Sequence, residues 1–146
     1  GEDDVNPHHS AWPADTRLSS MMCPTIVEHA DGTVTVLGSG GSNRIRSAIS
    51  RVVAALWFER SELSNAVEAP RLHAELMVNR DIQLDVEPGL DEATVDRLLS
   101  EVAHLRRWPT TDLYFGGVHA AQRAADGSMS GVGDPRRSGV SMVVDR

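Results

Sequence analysis

Between Thr33 and Trp57 the hydrophobic pattern changes period once. Val34 and Val36 alternate with Thr33 and Thr35, which predicts a strand. After the run Gly38-Ser39-Gly40-Gly41-Ser42, the residues Ile45, Ala48, Ile49, Val52, Val53 and Leu56 recur at three- and four-residue spacing, so they share one helix face. The segment reads as strand, glycine turn and amphipathic helix, with Ser42 or Asn43 as N-cap and an end near Glu59 or Arg60. Upstream, Pro24 to His29 alternates as a short strand, and Ala30-Asp31-Gly32 joins the two strands as a hairpin.

The remaining pattern predicts further elements. Ser61 suits the N-cap of a second helix through Glu62, Leu63, Ala66 and Val67, which stops at Ala69-Pro70. Leu76 to Val78 and Ile82 to Val86 read as short strands joined near Asn79-Arg80-Asp81. Asp91 caps a third helix carrying Ala93, Val95, Leu98, Leu99 and Val102, with Glu92 in its first turn. Arg106 to Thr111 reads as a loop. Val118 to Ala125 is a strand that turns at Asp126-Gly127 and returns through Met129 to Val132. Asp134-Pro135-Arg136-Arg137 closes that unit, and Val140 to Val144 is the last strand. The sum is a layered α+β fold, with hairpins forming an antiparallel sheet and helices packed on one face.

Composition narrows the function more than the fold. A chain of 146 residues predicts one domain, 1–146, with an irregular stretch over 1–17 and the α/β body over 18–146. The chain opens in mid-loop, as a fragment does. Its net charge of −7 argues against a nucleic-acid surface, and the six aromatic residues are too scattered for a base-stacking platform. No apolar run approaches the ~18 residues of a membrane span, and the sequence carries no recognisable address. Cys23 is the single cysteine, so it makes no internal disulfide and reads as a small buried residue. The six histidines show no metal-ligand spacing, and no cofactor is expected.

The candidate chemistry starts at the glycine run. Backbone N–H groups at a helix start suit an anionic or developing-anionic oxygen, although the same pattern also serves as a plain connection. Phosphate loops fit poorly: there is no lysine for a P-loop, and Asn43 stands where a dinucleotide fingerprint needs its last glycine. Ser19 and Ser20, before a strand, offer two hydroxyl donors to a carboxylate or simply form a turn. Asp3-Asp4 offers charge to an ammonium group or is a solvated acidic loop.

Four stretches, in order and with approximate spacing, together resemble the γ-glutamyltransferase (γ-glutamyl transpeptidase) family. They are Leu18-Ser19-Ser20-Met21-Met22-Cys23-Pro24-Thr25, Gly38-Ser39-Gly40-Gly41-Ser42-Asn43-Arg44-Ile45, Ala66-Val67-Glu68-Ala69-Pro70-Arg71-Leu72-His73 and Gly133-Asp134-Pro135-Arg136. The resemblance covers residues 1 to about 137 and is to the C-terminal part of the family's small subunit. It implies an N-terminal-nucleophile hydrolase fold, an αββα sandwich. In such a fold a threonine, exposed by self-cleavage of a precursor, attacks the γ-glutamyl amide of glutathione or a similar compound. The resulting γ-glutamyl ester passes to water or an acceptor amine, with the terminal amine as base.

By the family pattern that threonine stands some tens of residues upstream of Gly1, so this chain by itself is expected to be inactive. Asp4 resembles the family's aspartate for the substrate ammonium, and Ser19 and Ser20 its serine pair for the α-carboxylate. The glycine turn resembles its oxyanion hole. Aligned without a gap the two donors are Gly41 and Ser42; aligned with one they are Gly40 and Gly41. The implied partners are a γ-glutamyl substrate, the missing part or large subunit of the same precursor, and self-association through an exposed apolar surface. Two other classes remain: a non-catalytic domain holding γ-glutamyl or amino-acid ligands through Asp4 and the serine pair, and a purely structural partner subunit.

Overall fold

The computed structural model describes Asn6 and residues 10–144. The predicted hairpin is there: β1 (Thr25–Glu28) pairs antiparallel with β2 (Val34–Gly40), and Asp31 Oδ1 accepts the Thr33 N–H at 2.9 Å in the turn between them. Next to β2 lies β6 (Gly117–Arg123), followed by β7 (Met129–Val132), giving an antiparallel sheet in the order β1-β2-β6-β7. Between β2 and β6 the chain forms α1 (Arg44–Trp57), α2 (Leu63–Glu68) and a second sheet.

The core lies between this sheet and α1 and α2. Ile45, Ala48, Ile49, Val52, Ala55 and Leu56 of α1 cluster with Leu63, Ala66 and Val67 of α2 and with Leu37, Val118 and Ala120 of the sheet. Strand alternation then sends Thr35 inward with Leu37, and the buried Thr35 Oγ1 takes a hydrogen bond from Gln122 at 2.9 Å and pairs with the His29 ring at 3.2 Å. Val36 and Ile26 consequently face away from the helices and are exposed.

The second sheet departs from the expected all-antiparallel arrangement. β3 (Leu72–Leu76) pairs antiparallel with β4 (Ile82–Val86), but β4 pairs in parallel with β5 (His104–Arg107). A parallel neighbour needs a crossover, which α3 (Glu92–Glu101) supplies. The start of that helix is as predicted, since Asp91 Oδ1 accepts the Thr94 N–H at 2.9 Å; Val95 is its one buried residue. β5 ends inside the stretch Arg106 to Thr111, which was expected as a loop, and its first half had no predicted element. Three of its four residues are histidine or arginine, and only backbone pairing with β4 makes it a strand.

Other boundaries shift for local reasons. Gly38 to Gly40 belong to β2, paired with His119, Val118 and Gly117, so the turn begins only at Gly41. α1 ends at Trp57 because Arg60 adopts φ +55° and Ser61 donates its N–H back to Ala55 O at 3.1 Å, which leaves Glu62 rather than Ser61 at the N-cap position of α2. The strand expected at Leu76 to Val78 lies earlier, since Met77 and Arg80 make the reversal. Val140 to Val144 is not a strand: after Ser138, at φ +50°, the segment runs on without ladder pairing and leaves Val140 and Met142 exposed. Cys23 is exposed rather than buried.

Candidate active site

The corner where β2 gives way to α1 is built from interlocked glycines. Gly41 has φ +129°, and a Cβ there would come 2.9 Å from Gly116 Cα; Gly116 has φ +77°, and a Cβ there would come 2.9 Å from Gly40 O. Both positions therefore need glycine for conformation and for close approach. Ser42 takes φ +56°, a left-handed conformation more natural to glycine. Ser39 Oγ donates to Gly40 O at 2.9 Å and accepts the Gly117 N–H at 3.3 Å, stitching the two strand ends. The turn then hands over to the helix as Arg44 N–H donates to Gly41 O at 3.1 Å.

Behind the corner stands a buried ionic network. Arg71 donates to Gly116 O at 3.1 Å, to Phe115 O at 3.3 Å, to Val67 O at 2.9 Å and to Asp134 Oδ2 at 2.6 Å. Asp134 Oδ2 also accepts the Val118 N–H at 2.7 Å, and Arg136 pairs with Glu87 through Nε at 2.7 Å and Nη2 at 2.5 Å. The side chains of Arg71, Asp134, Arg136 and Glu87 are all buried. Burial pushes the Asp134 carboxyl up, but the charge of Arg71 and the backbone donors outweigh it and hold it below the ordinary carboxylate value. Burial likewise pulls Arg136 down, and Glu87 more than restores it.

His73, on β3, is buried with Nδ1 2.8 Å from Ser47 Oγ of α1, while its Nε2 has no hydrogen-bond partner among the described residues. Burial, and then the charge of Arg44, hold the imidazole below its ordinary 6.5. The folded chain thus binds this proton more weakly than the unfolded one, so the stabilisation is complete above pH 6.5 and declines as pH falls below it. Urea-unfolding midpoints of wild type and His73→Gln, measured from about pH 7 to about pH 5, are expected to show a flatter pH dependence in the variant. An unchanged slope would assign the dependence to other groups.

The predicted site residues divide into three groups. Gly40, Gly41 and Ser42 form the corner with Gly116, a residue the sequence reading did not single out. Ser19 and Ser20 lie in an exposed irregular segment, where Ser20 Oγ accepts the Met22 N–H at 3.1 Å. That segment enters β1 at Thr25, which pairs with Leu37, so it approaches from the sheet end that carries the glycine corner. Asp4 lies outside the described residues. The supporting network was missed as such. Arg71 and Asp134 stood within family-like stretches, but their pairing across 63 residues left no local signal.

Residues 2–144 match the family described as Gamma-glutamyltranspeptidase. A glutathione hydrolase proenzyme of Arthroderma benhamiae is 28% identical over 140 residues, covering 95% of this chain and 23% of its own length. The chain therefore spans about a quarter of that relative. Among solved structures, a gamma-glutamyltranspeptidase from Pseudomonas nitroreducens complexed with L-DON is 28% identical, with a TM-score of 0.73 over 92% of this chain and 68% of that one. A gamma-glutamyltranspeptidase of Helicobacter pylori is 30% identical, with a TM-score of 0.68 over 86% and 66%. The Bacillus anthracis transpeptidase CapD, at 23% identity and a TM-score of 0.73 over 95% of this chain and 76% of that one, shares the fold. The α+β arrangement is thus part of an N-terminal-nucleophile hydrolase fold. With nearly its whole length matched, the chain belongs to the γ-glutamyltranspeptidase family.

Proposed function

We propose that residues 1–146 form one domain, the C-terminal portion of the small subunit of a γ-glutamyltransferase (glutathione hydrolase). In this reading the domain grips a γ-glutamyl substrate such as glutathione while a threonine outside this chain attacks the amide. The threonine oxygen bonds to the γ-carbonyl carbon, the carbonyl oxygen takes negative charge, and the amine leaves with a proton, giving a γ-glutamyl ester for water or an amino acceptor. The interlocked Gly41–Gly116 corner carries the proposal, because rigid backbone at a helix start suits an oxygen that gains charge during reaction. Gly40 being paired with Gly117 in the sheet favours Gly41 and Ser42 as the donor pair. Ser19 and Ser20 take the α-carboxylate and Asp4 the ammonium.

The partner that supplies the threonine is the remaining part of the same precursor. The sheet face turned away from the helices, with Ile26, Val36 and Met129 exposed and Met142 near it, offers an apolar surface for that partner or for a second copy. Alone, the chain is inactive.

The test is cleavage of γ-glutamyl-p-nitroanilide by this chain alone and by the protein expressed from its natural reading frame. Expected are no turnover by the chain and turnover by the full protein, with Ser20→Ala or Asp4→Asn raising KM by roughly ten- to a hundredfold through loss of a charge-assisted hydrogen bond. Glutamate binding without turnover in the full protein would favour the non-catalytic binding domain. A reading frame with no upstream threonine would point the same way.

A further inference from the structure

Tyr114 joins the second sheet to both walls of the glycine corner. Its hydroxyl donates to Asp85 Oδ2 at 2.8 Å. Asp85, fully buried on β4, also accepts from Trp108 Nε1 at 3.0 Å, from Gln83 Nε2 at 3.3 Å and from Arg106 Nε. Burial pushes this carboxyl up, but the four donors overcome it and keep it ionised below its ordinary range. The phenol is pushed above its ordinary 10 by burial and held there by Asp85, so it remains a donor through neutral pH.

The ring does the rest. It stacks on Trp108 at 4.6 Å and meets Phe115 edge-on at 5.1 Å, while the Arg44 guanidinium lies 4.1 Å from its centroid. Arg44 Nε has no hydrogen-bond partner among the described residues, and the Tyr114 ring face and Glu75, 4.0 Å from Nη2, stand against its charge. Arg44 is the first residue of α1 and bonds back to Gly41; Tyr114 lies two residues before Gly116. One side chain fixed to a buried carboxylate therefore restrains the helix side of the corner through Arg44 and the strand side through Gly116.

We propose that Tyr114 is a positioning residue that sets the distance between the Gly41 and Gly116 walls, an inference that rests on reading this corner as the oxyanion site. A fixed donor set helps only while its geometry is held, and displacement of about 1 Å costs roughly a hundredfold in rate.

Two measurements on the protein expressed from its natural reading frame test this: steady-state cleavage of γ-glutamyl-p-nitroanilide, and amide hydrogen exchange. Tyr114→Leu, lacking ring and hydroxyl, is expected to lower kcat roughly a hundredfold with KM changed less than about twofold, whereas Tyr114→Phe, which keeps the ring, loses less than about tenfold. Exchange should rise in Tyr114→Leu in the peptides covering residues 40–46 and 114–118 and remain at wild-type levels in α3. An unaltered kcat in Tyr114→Leu, a rise in KM matching the fall in kcat, equal losses in both variants, or exchange increasing uniformly would overturn the proposal. If the wild type turns over no γ-glutamyl substrate, the reading of the corner fails, and local exchange still decides whether Tyr114 holds it.

Discussion

Asp134→Ala is expected to destabilise the fold by about 3–5 kcal/mol, because it leaves a buried guanidinium without its partner. The usual escape, replacing a buried ion pair by apolar residues at little cost, is closed here. Arg71 also satisfies the carbonyls of Val67, Phe115 and Gly116, and Asp134 satisfies the Val118 N–H, so removing either side orphans backbone groups as well. Urea unfolding followed by circular dichroism measures the loss. A change below about 1 kcal/mol would mean that water or a neighbour replaces Asp134.

The same residue sets a pH limit. Because the folded state holds the Asp134 carboxyl below its ordinary 3.8, its contribution is present above that value and is lost as pH falls through the lower folded value. His73 begins to lose its contribution below pH 6.5 and Asp134 only below 3.8, so acid sensitivity starts with the imidazole.

On the proposed reading of the corner as the oxyanion site, Gly41→Ala in the protein expressed from its natural reading frame is expected to lower kcat for γ-glutamyl-p-nitroanilide by roughly 10²- to 10³-fold, the scale seen when an oxyanion donor is lost. An added Cβ meets Gly116 Cα at 2.9 Å, which is backbone and has no rotamer to change, and φ +129° is itself costly for alanine. Gly40→Ala is the contrast. Its Cβ would come 2.3 Å from Arg137 Nη1, but this is the end of a flexible side chain, and Gly40 sits in ordinary strand conformation. That variant is expected to keep kcat within about tenfold of wild type. Equal losses at Gly40 and Gly41 would instead place the donors on Gly40 and Gly41.

Legibility in the sequence followed the reach of each interaction. The β1–β2 and β6–β7 hairpins were readable because Asp31-Gly32 and Asp126-Gly127 stand between alternating runs, and α1 because its buried face repeats at helical spacing. β5 was not readable, since it has one apolar residue in four and exists by pairing with β4 across α3. β3 was displaced because it buries His73 and exposes Leu76, the reverse of what hydrophobicity predicts. In the site, the glycine run was visible as a turn, but the need for Gly116 was not, because that need arises only when β6 comes alongside β2.

By itself the sequence determined the β1–β2 and β6–β7 hairpins, the helices α1 to α3, the absence of a lysine-based phosphate loop and, through four ordered stretches, the family. Those features depend on neighbours a few residues apart, or on residue identity alone. Tertiary structure alone decided where the glycine walls meet, which charges are buried and what they satisfy. The decisive contacts join residues tens of positions apart, as Arg71 joins Asp134 and Tyr114 joins Asp85, and only the folded chain brings them within hydrogen-bond range.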